Sequence, residues 1–470
     1  MRIKNPTFLK EHYNIIKHLV RWTILVLPIA LTTGSVVAFF LWLLDTAIHF
    51  RFHHSWLLFL LPLAGLLIHF IYRSVGRSSE KGNNLIIEQI HQEGGRVPKR
   101  MAPIILLTSV ITHLFGGSAG REGTAVQIGG SIASMFGGWF NLKGVDMRMV
   151  LTAGVAAGFG AVFGTPVTGA IFAMEVLTIG RIQYDALLPA LIAAVIGDIT
   201  VGAWHVSHVQ YHIALVGHSS FFMSDFFHFD ILLLLKVILA SAAFGLTSFL
   251  FTVMVHEVKN VCLKIFKNKW MIPVFGGIVI IVLTMILGET DYLSLGIDAQ
   301  YPGAVTIPSA FDAGGAHTWS WLWKSIYTSV TLGTGFKGGE VTPLFYIGST
   351  LGNTLAGIFN APVSLFAALG FIAVFAGATN TPLACTFMGV ELFGGEHVLL
   401  FAVACFTAYF FSGHSGIYGS QRIAVPKIFD ECNNETSLEQ SMKRRGYIYQ
   451  KLKKYSLRTK KRNNEGAADD

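Results

Sequence analysis

Two stretches of this chain, 218 residues apart, are close copies of one another. The first reads Gly120-Arg121-Glu122-Gly123-Thr124 and is followed by Gly130-Ser131. The second reads Gly338-Gly339-Glu340-Val341-Thr342-Pro343 and is followed by Gly348-Ser349. Glu122 pairs with Glu340 and Thr124 with Thr342, and each copy is preceded by Thr-Ser-Val, at 108–110 and 328–330. Downstream, Thr165-Pro166 stands before Glu175 as Thr381-Pro382 stands before Glu391, with the same spacing. Two matches in the same order make an internal repeat. In an apolar chain, repeats whose glycine-broken segments carry glutamates point to a transporter with its site between the halves.

Composition puts the chain in a membrane. Hydrophobic residues make up 52% of it and charged residues 13%, against about 25% charged residues in soluble domains. Trp22–Trp42, Ile231–Phe251 and Ile272–Leu287 are apolar runs close to the roughly 17–25 residues that cross the hydrocarbon core. Val150–Val162 and Leu365–Phe375 are too short to cross upright and must tilt, stop partway or lie buried among neighbours. Further apolar segments are expected near 56–72, 102–115, 124–139, 167–179, 185–203, 318–332, 342–359, 383–393 and 397–411. All read as helices, with no strand pattern.

The ends carry the orientation signal. The first 21 residues hold five Lys or Arg and one Glu, and Lys443–Arg462 holds ten Lys or Arg and no acid. Positive charge favours the cytoplasmic side, so both termini are expected there, with an even number of crossings and no cleavable signal. The tail reads as a membrane-surface segment rather than a nucleic-acid site. His205, His208, His212 and His218 fall in a connector between the halves and lack the spacing of a metal site, as do Cys262, Cys385, Cys405 and Cys432. The expected division is a basic segment 1–21, a first membrane repeat 22–204, a connector 205–229, a second repeat 230–430 and a basic tail 431–470.

The glycine-rich loops admit three chemistries. Gly333-Thr334-Gly335-Phe336-Lys337-Gly338 formally matches a dinucleotide fingerprint, but no strand precedes it. Neither loop ends as a P-loop does. The third chemistry fits: glycine turns that open apolar helices present free N–H groups and a helix dipole to an anion. One such start per repeat would converge on one anion site, built from the backbone at Gly120, Gly123, Thr124, Gly339 and Val341. No cofactor or metal motif accompanies it, and no nucleophile–base set marks an enzyme.

A carboxylate at membrane depth is expensive and marks a proton relay or ion path. Glu122 opens its helix inside the anion-binding loop. Burial disfavours its ionised form and the helix N-terminus favours it, so both protonation states are accessible. An ionised Glu122 can take the anion's place and a protonated one can leave it, which couples an anion to a proton. Glu175 and Glu391 end their helices, and for them a structural role at the membrane interface or between subunits is expected.

These residues resemble a known family. Gly120–Thr124 looks like the Gly-Arg-Glu-Gly-Pro signature of the CLC chloride channels and transporters, and Gly339–Pro343 looks like their Gly-x-Phe-x-Pro motif. Ala156-Ala157-Gly158 through Pro166 to Glu175 is similar to the segment before the family's cytoplasmic proton site. The signature proline is here Thr124, and the third motif reads Gly339-Glu340-Val341-Thr342-Pro343. The first motif, usually Gly-Ser-Gly-Ile-Pro, reads Gly82-Asn83-Asn84-Leu85-Ile86. Together these departures resemble the fluoride/proton antiporter branch of bacteria.

The resemblance implies an all-α polytopic membrane protein of about 18 helices in two inverted-topology repeats. It also implies a homodimer in the bacterial inner membrane, with a pathway in each subunit. It makes Glu122 the gating glutamate and Glu340 and Thr342 the branch's own additions, serving proton transfer and fluoride recognition. Asn83 stands where chloride-handling members place a serine, and Tyr418, in Gly416-Ile417-Tyr418-Gly419, matches the tyrosine whose hydroxyl faces the anion. Val176 stands where chloride/proton antiporters place their inner proton glutamate, which leaves Glu340 as the substitute. Fluoride is smaller and more tightly hydrated than chloride, so its site needs short, strong donors such as backbone N–H, the Asn83 amide and the Thr342 and Tyr418 hydroxyls. The expected partners are fluoride, protons and the bilayer, and export of fluoride against protons would confer fluoride resistance. A chloride/proton antiporter or a chloride channel of the same family is the alternative.

Overall fold

A computed structural model describes residues 6–92, 95–209, 211, 213, 230–427 and 437–440, with residues 6–9 as backbone only. Most of the expected connector, including His212 and His218, lies outside the described residues, as do Cys432 and the tail 431–470 apart from 437–440.

The described residues form fifteen α-helices. The first repeat holds α1 (Pro6–His53), α2 (Leu61–Ile71), α3 (Asn83–His91), α4 (Met101–Leu114), α5 (Glu122–Trp139), α6 (Gly144–Phe163), α7 (Pro166–Glu175) and α8 (Leu187–Ala203). The second holds α9 (Ile231–Ile265), α10 (Met271–Leu287), α11 (Ser320–Gly333), α12 (Val341–Phe359), α13 (Val363–Thr379), α14 (Pro382–Phe393) and α15 (Val398–Phe411). Short 3-10 and π segments at 55–60, 72–76, 77–79, 184–186 and 309–311 carry further helical turns between them. This is a multi-pass membrane protein: five helical stretches among the described residues are long and apolar enough to cross a bilayer. The basic leading segment and the first apolar run form one helix that continues through Pro28.

The two short apolar segments become the centre of the molecule. On α13 every residue from Leu365 to Thr379 is buried, and on α6 every residue from Met149 to Phe163. A helix apolar on all sides belongs inside a bundle. Each packs on the helix that opens at its repeat's glycine loop, α6 on α5 and α13 on α12. Glycine makes that contact close: a Cβ on Gly129 would lie 2.0 Å from the Gly154 carbonyl oxygen, and one on Gly348 2.1 Å from that of Gly370. Small residues let helix backbones approach in lipid, where no hydrophobic drive pairs helices.

Two of the contacts between the repeats involve helix starts. Gly120 and Gly339 exchange backbone hydrogen bonds, 2.6 Å from Gly120 N–H and 2.7 Å from Gly339 N–H, as a single antiparallel bridge. Farther along, α7 and α14 each carry in their last turn a glutamate seated on the start of the other. Glu175 accepts from the N–H groups of Leu383 (3.1 Å) and Ala384 (2.8 Å). Glu391 accepts from those of Val167 (2.9 Å) and Thr168 (2.8 Å), and from the Thr168 hydroxyl (2.6 Å). A helix N-terminus leaves N–H groups without intrahelical partners, and a carboxylate satisfies them while matching the dipole. The two glutamates are therefore structural, as expected, but they act between the halves of one chain.

The chain also contains a short strand pair where no strand pattern was visible. Thr178–Ile179 (β1) pairs parallel with Arg422–Ile423 (β2). Two residues per strand are too few to leave a periodicity of two in the sequence.

Candidate functional site

The bridged glycines hold two helix starts against each other. Glu122 is the first residue of α5, and Val341 is the first of α12. The Glu122 side chain is buried and reaches across to the other repeat, where it accepts the N–H of Thr342 at 3.0 Å and the Thr342 hydroxyl. A carboxylate thus occupies the place that a free anion would take at the α12 N-terminus. Space there is tight: a Cβ on Gly339 would stand 2.7 Å from the Gly123 nitrogen and 3.2 Å from a Glu122 oxygen.

Hydroxyls from the two Thr-Ser-Val copies, one from each repeat, brace the first repeat's loop and the helix it opens. Ser109 shares a 2.6 Å hydrogen bond with Thr124, and Thr328 shares one of 2.9 Å with Ser118 of the first repeat. The Thr331 hydroxyl accepts from the Ser118 N–H at 3.1 Å.

The structure corrects the pairing of the repeats by one residue. Gly120 faces Gly339 and the helices open at Glu122 and Val341, an offset of 219 residues. Gly129 and Gly348, which make equivalent close contacts, keep the same offset. The counterpart of Glu122 is therefore Val341, and that of Glu340 is Arg121. Matching the glutamates by identity gave 218, because side-chain identity does not report where the backbone enters the helix. Glu340 sits at the N-cap position of α12 without a side-chain capping bond, within electrostatic reach of Glu122 and Lys337.

Two cavities approach these helix starts. One is lined by Glu122, Thr342, Arg121, His208, Tyr211 and Phe345 among others. The other is lined by Asn83, Tyr418, Val126, Ile86, Phe172 and Val176 among others. Helix α5 serves both, with Glu122 on the first and Val126, one turn on, on the second. The expected site residues therefore divide into Glu122 with Thr342 and Asn83 with Tyr418. Asn83 stands close behind the bridge, its amide nitrogen 2.9 Å from where a Cβ on Gly123 would be, and its buried carbonyl oxygen has no hydrogen-bond partner. Val176 presents an apolar surface to the same cavity.

Tyr418 is buried and held by a latch that sequence reasoning missed. The Ile417 N–H donates 2.9 Å to the Ala378 carbonyl. The Gln421 amide donates 2.8 Å to the carbonyls of both Val176 and Thr379, and Asn380 donates 3.1 Å to the Gln421 side-chain oxygen. Also missed was the return of the connector: Tyr211 packs 5.3 Å from Phe311 and 5.4 Å from Phe371, while Phe371 stacks on Phe345 at 3.8 Å, all ring to ring. His208 and Tyr211 were visible only as polar and aromatic residues of a spacer, with no periodicity to place them.

Fold and site define an inverted-repeat membrane protein in which two helix N-termini, one from each repeat, meet at one carboxylate. The sequence profile of the voltage-gated chloride channel family matches residues 64–413, and the chain belongs to this CLC family. It is 43% identical to the chloride/fluoride channel protein of Pseudomonas syringae pv. tomato, over 89% of this chain and 90% of that one. Among solved structures it is similar to a CLC-type fluoride/proton antiporter, with TM-score 0.78 and 33% identity, covering 86% of this chain and 98% of that one. A slow cyanobacterial chloride/proton antiporter shares the fold, with TM-score 0.67 and 19% identity over 83% of this chain and 94% of that one.

Proposed function

We propose that this protein is a secondary transporter that exports fluoride in exchange for protons. The observation that carries the reading is the Glu122 carboxylate seated on the Thr342 N–H and hydroxyl at the start of α12. A carboxylate that holds an anion's donors competes with that anion when ionised and yields to it when protonated. Thr342 then offers both its N–H and its hydroxyl to fluoride, and the helix starts at Gly120, Gly123, Thr124, Gly339 and Val341 supply further backbone polarity. Asn83 and Tyr418 line the approach from the other cavity. Glu340 carries protons in place of the carboxylate that Val176 does not provide. The likeness to a fluoride/proton antiporter and to a chloride/fluoride channel protein supports this choice of anion.

The reading includes a homodimer in the bacterial inner membrane with both termini cytoplasmic. On α8, Leu187, Leu191, Val195 and Ile199 form an exposed stripe at four-residue spacing, and Val167 of α7 and Phe387 of α14 are also exposed. A self-complementary apolar face of this kind suits a two-fold contact.

Efflux of fluoride and of chloride from liposomes, with pH recorded in the same vesicles, tests the function. Fluoride efflux with proton uptake is expected. Chloride exchange with little fluoride movement would assign the protein to the family's chloride transporters, and fluoride flux without proton movement would make it a channel.

A further inference from the structure

Away from the two cavities at the helix starts, a cleft of about 140 Å³ opens between α2, α9, α10 and the segment after α11. Its polar lining includes His69, Tyr72, Glu80, Lys259, Lys269 and Lys337, so three lysines and a histidine face one carboxylate. The Lys337 ammonium stands 4.3 Å from the centroid of the Tyr72 ring, and Lys259 and Lys269 are exposed. None of the three is in a salt bridge among the described residues. The rest of the lining is largely apolar, with Ile68, Leu263, Ile272 and Pro273.

The cleft's level in the membrane follows from its surroundings. Lys259, Lys264, Lys267 and Lys269 crowd the end of α9 and the turn into α10, which assigns this turn to the cytoplasmic side. Trp270 is exposed on the turn, and Leu263, Ile265 and Phe275 are exposed around it. Exposed lysines, a tryptophan and exposed aliphatic side chains together mark the boundary between headgroups and acyl chains. An occupant must offer a negative group to the lysines and an apolar body to Leu263. Inorganic phosphate satisfies only the first requirement.

We propose that the cleft binds an anionic phospholipid, its phosphate between Lys259, Lys269 and Lys337 and its acyl chains along Leu263. The site bears on transport through its floor. Thr334 packs against Gly276 and Phe336 against Gly65, and the Lys337 N–H donates 3.3 Å to the Thr112 hydroxyl. The same segment runs on through Gly338 into the glycine bridge, so a bound headgroup steadies the loop that opens α12.

Native mass spectrometry of the full chain, released from detergent with phosphatidylglycerol or phosphatidylcholine of identical acyl chains, tests this. One phosphatidylglycerol per chain should be retained in preference to phosphatidylcholine. K259Q/K269Q should lower that preference roughly tenfold or more. K264Q/K267Q removes the same charge from the same region outside the cleft and should keep it. All four side chains are exposed, and size-exclusion elution serves as the folding control. Equal loss in both double variants, or no preference in the parent protein, would overturn the site. Millimolar inorganic phosphate should leave the lipid bound, and its displacement by phosphate would overturn the lipid assignment in favour of a free-phosphate site.

Discussion

Glu122 and Thr342, 220 residues apart in sequence, are joined by two hydrogen bonds, one to the Thr342 N–H and one to its hydroxyl. The pairing makes the two repeats interdependent at their glycine-loop helix starts. The start of α12 is completed by a residue of the first half.

Glu122→Gln keeps the volume of the side chain and a carbonyl oxygen for the Thr342 N–H, but removes the titrating proton. The helix starts should therefore stay assembled while proton movement coupled to fluoride falls to background. Vesicle fluoride and pH traces recorded together check this. Proton uptake at the parent rate would refute the gating role.

Glu340→Gln separates a transport role from a local one. Glu340 makes no side-chain capping bond to α12, so loss of its charge breaks no cap and forgoes a dipole interaction of about 0.3–1 kcal/mol, and the fold should survive. If it carries protons, coupled export should nonetheless drop sharply. Near-normal coupled flux with normal yield would leave Glu122 as the sole acid of the cycle.

The reciprocal caps predict matched stability effects. Glu175→Ala leaves the N–H groups of Leu383 and Ala384 unmet, and Glu391→Ala does the same to Val167 and Thr168. Each should cost about 0.5–2 kcal/mol and lower the thermal midpoint in detergent by similar amounts, while flux per folded protein persists. A change at one position and none at the other would show that the caps are not equivalent.

Single-molecule photobleaching in native membranes should show two steps per particle. Placing Lys at Leu191 or Val195, in the exposed stripe of α8, should shift the population toward one step, because an unpaired charge in an apolar interface is costly. An unchanged distribution would move the interface elsewhere on the surface.

Much of this architecture was legible before any coordinates. The duplicated glycine loops, the duplicated Thr-Pro helices and nearly all helix positions follow from identity and apolar run length. The sequence could not give the register between repeats, since Glu122 and Glu340 match by identity while the backbone aligns Glu122 with Val341. The destination of Glu175 and Glu391 was hidden because long-range capping leaves no local pattern. The Tyr418 latch through Gln421 and Asn380 escaped for a similar reason, as its bonds run between side chains and carbonyls far apart in sequence.

The seating of Glu391 on the start of α7 has a consequence for synthesis. The chain between Thr168 and Glu391 is made at roughly 5–20 residues per second, so the acceptor reaches the end of the ribosome's product some 10–45 s after the groups that need it. During that interval the N–H groups of Val167 and Thr168 lack the carboxylate that receives them in the complete fold. A nascent first half must shelter those N–H groups with water, lipid headgroups or an insertase until its second half arrives. Truncation before Glu391 therefore leaves the start of α7 without the acceptor it has in the full chain.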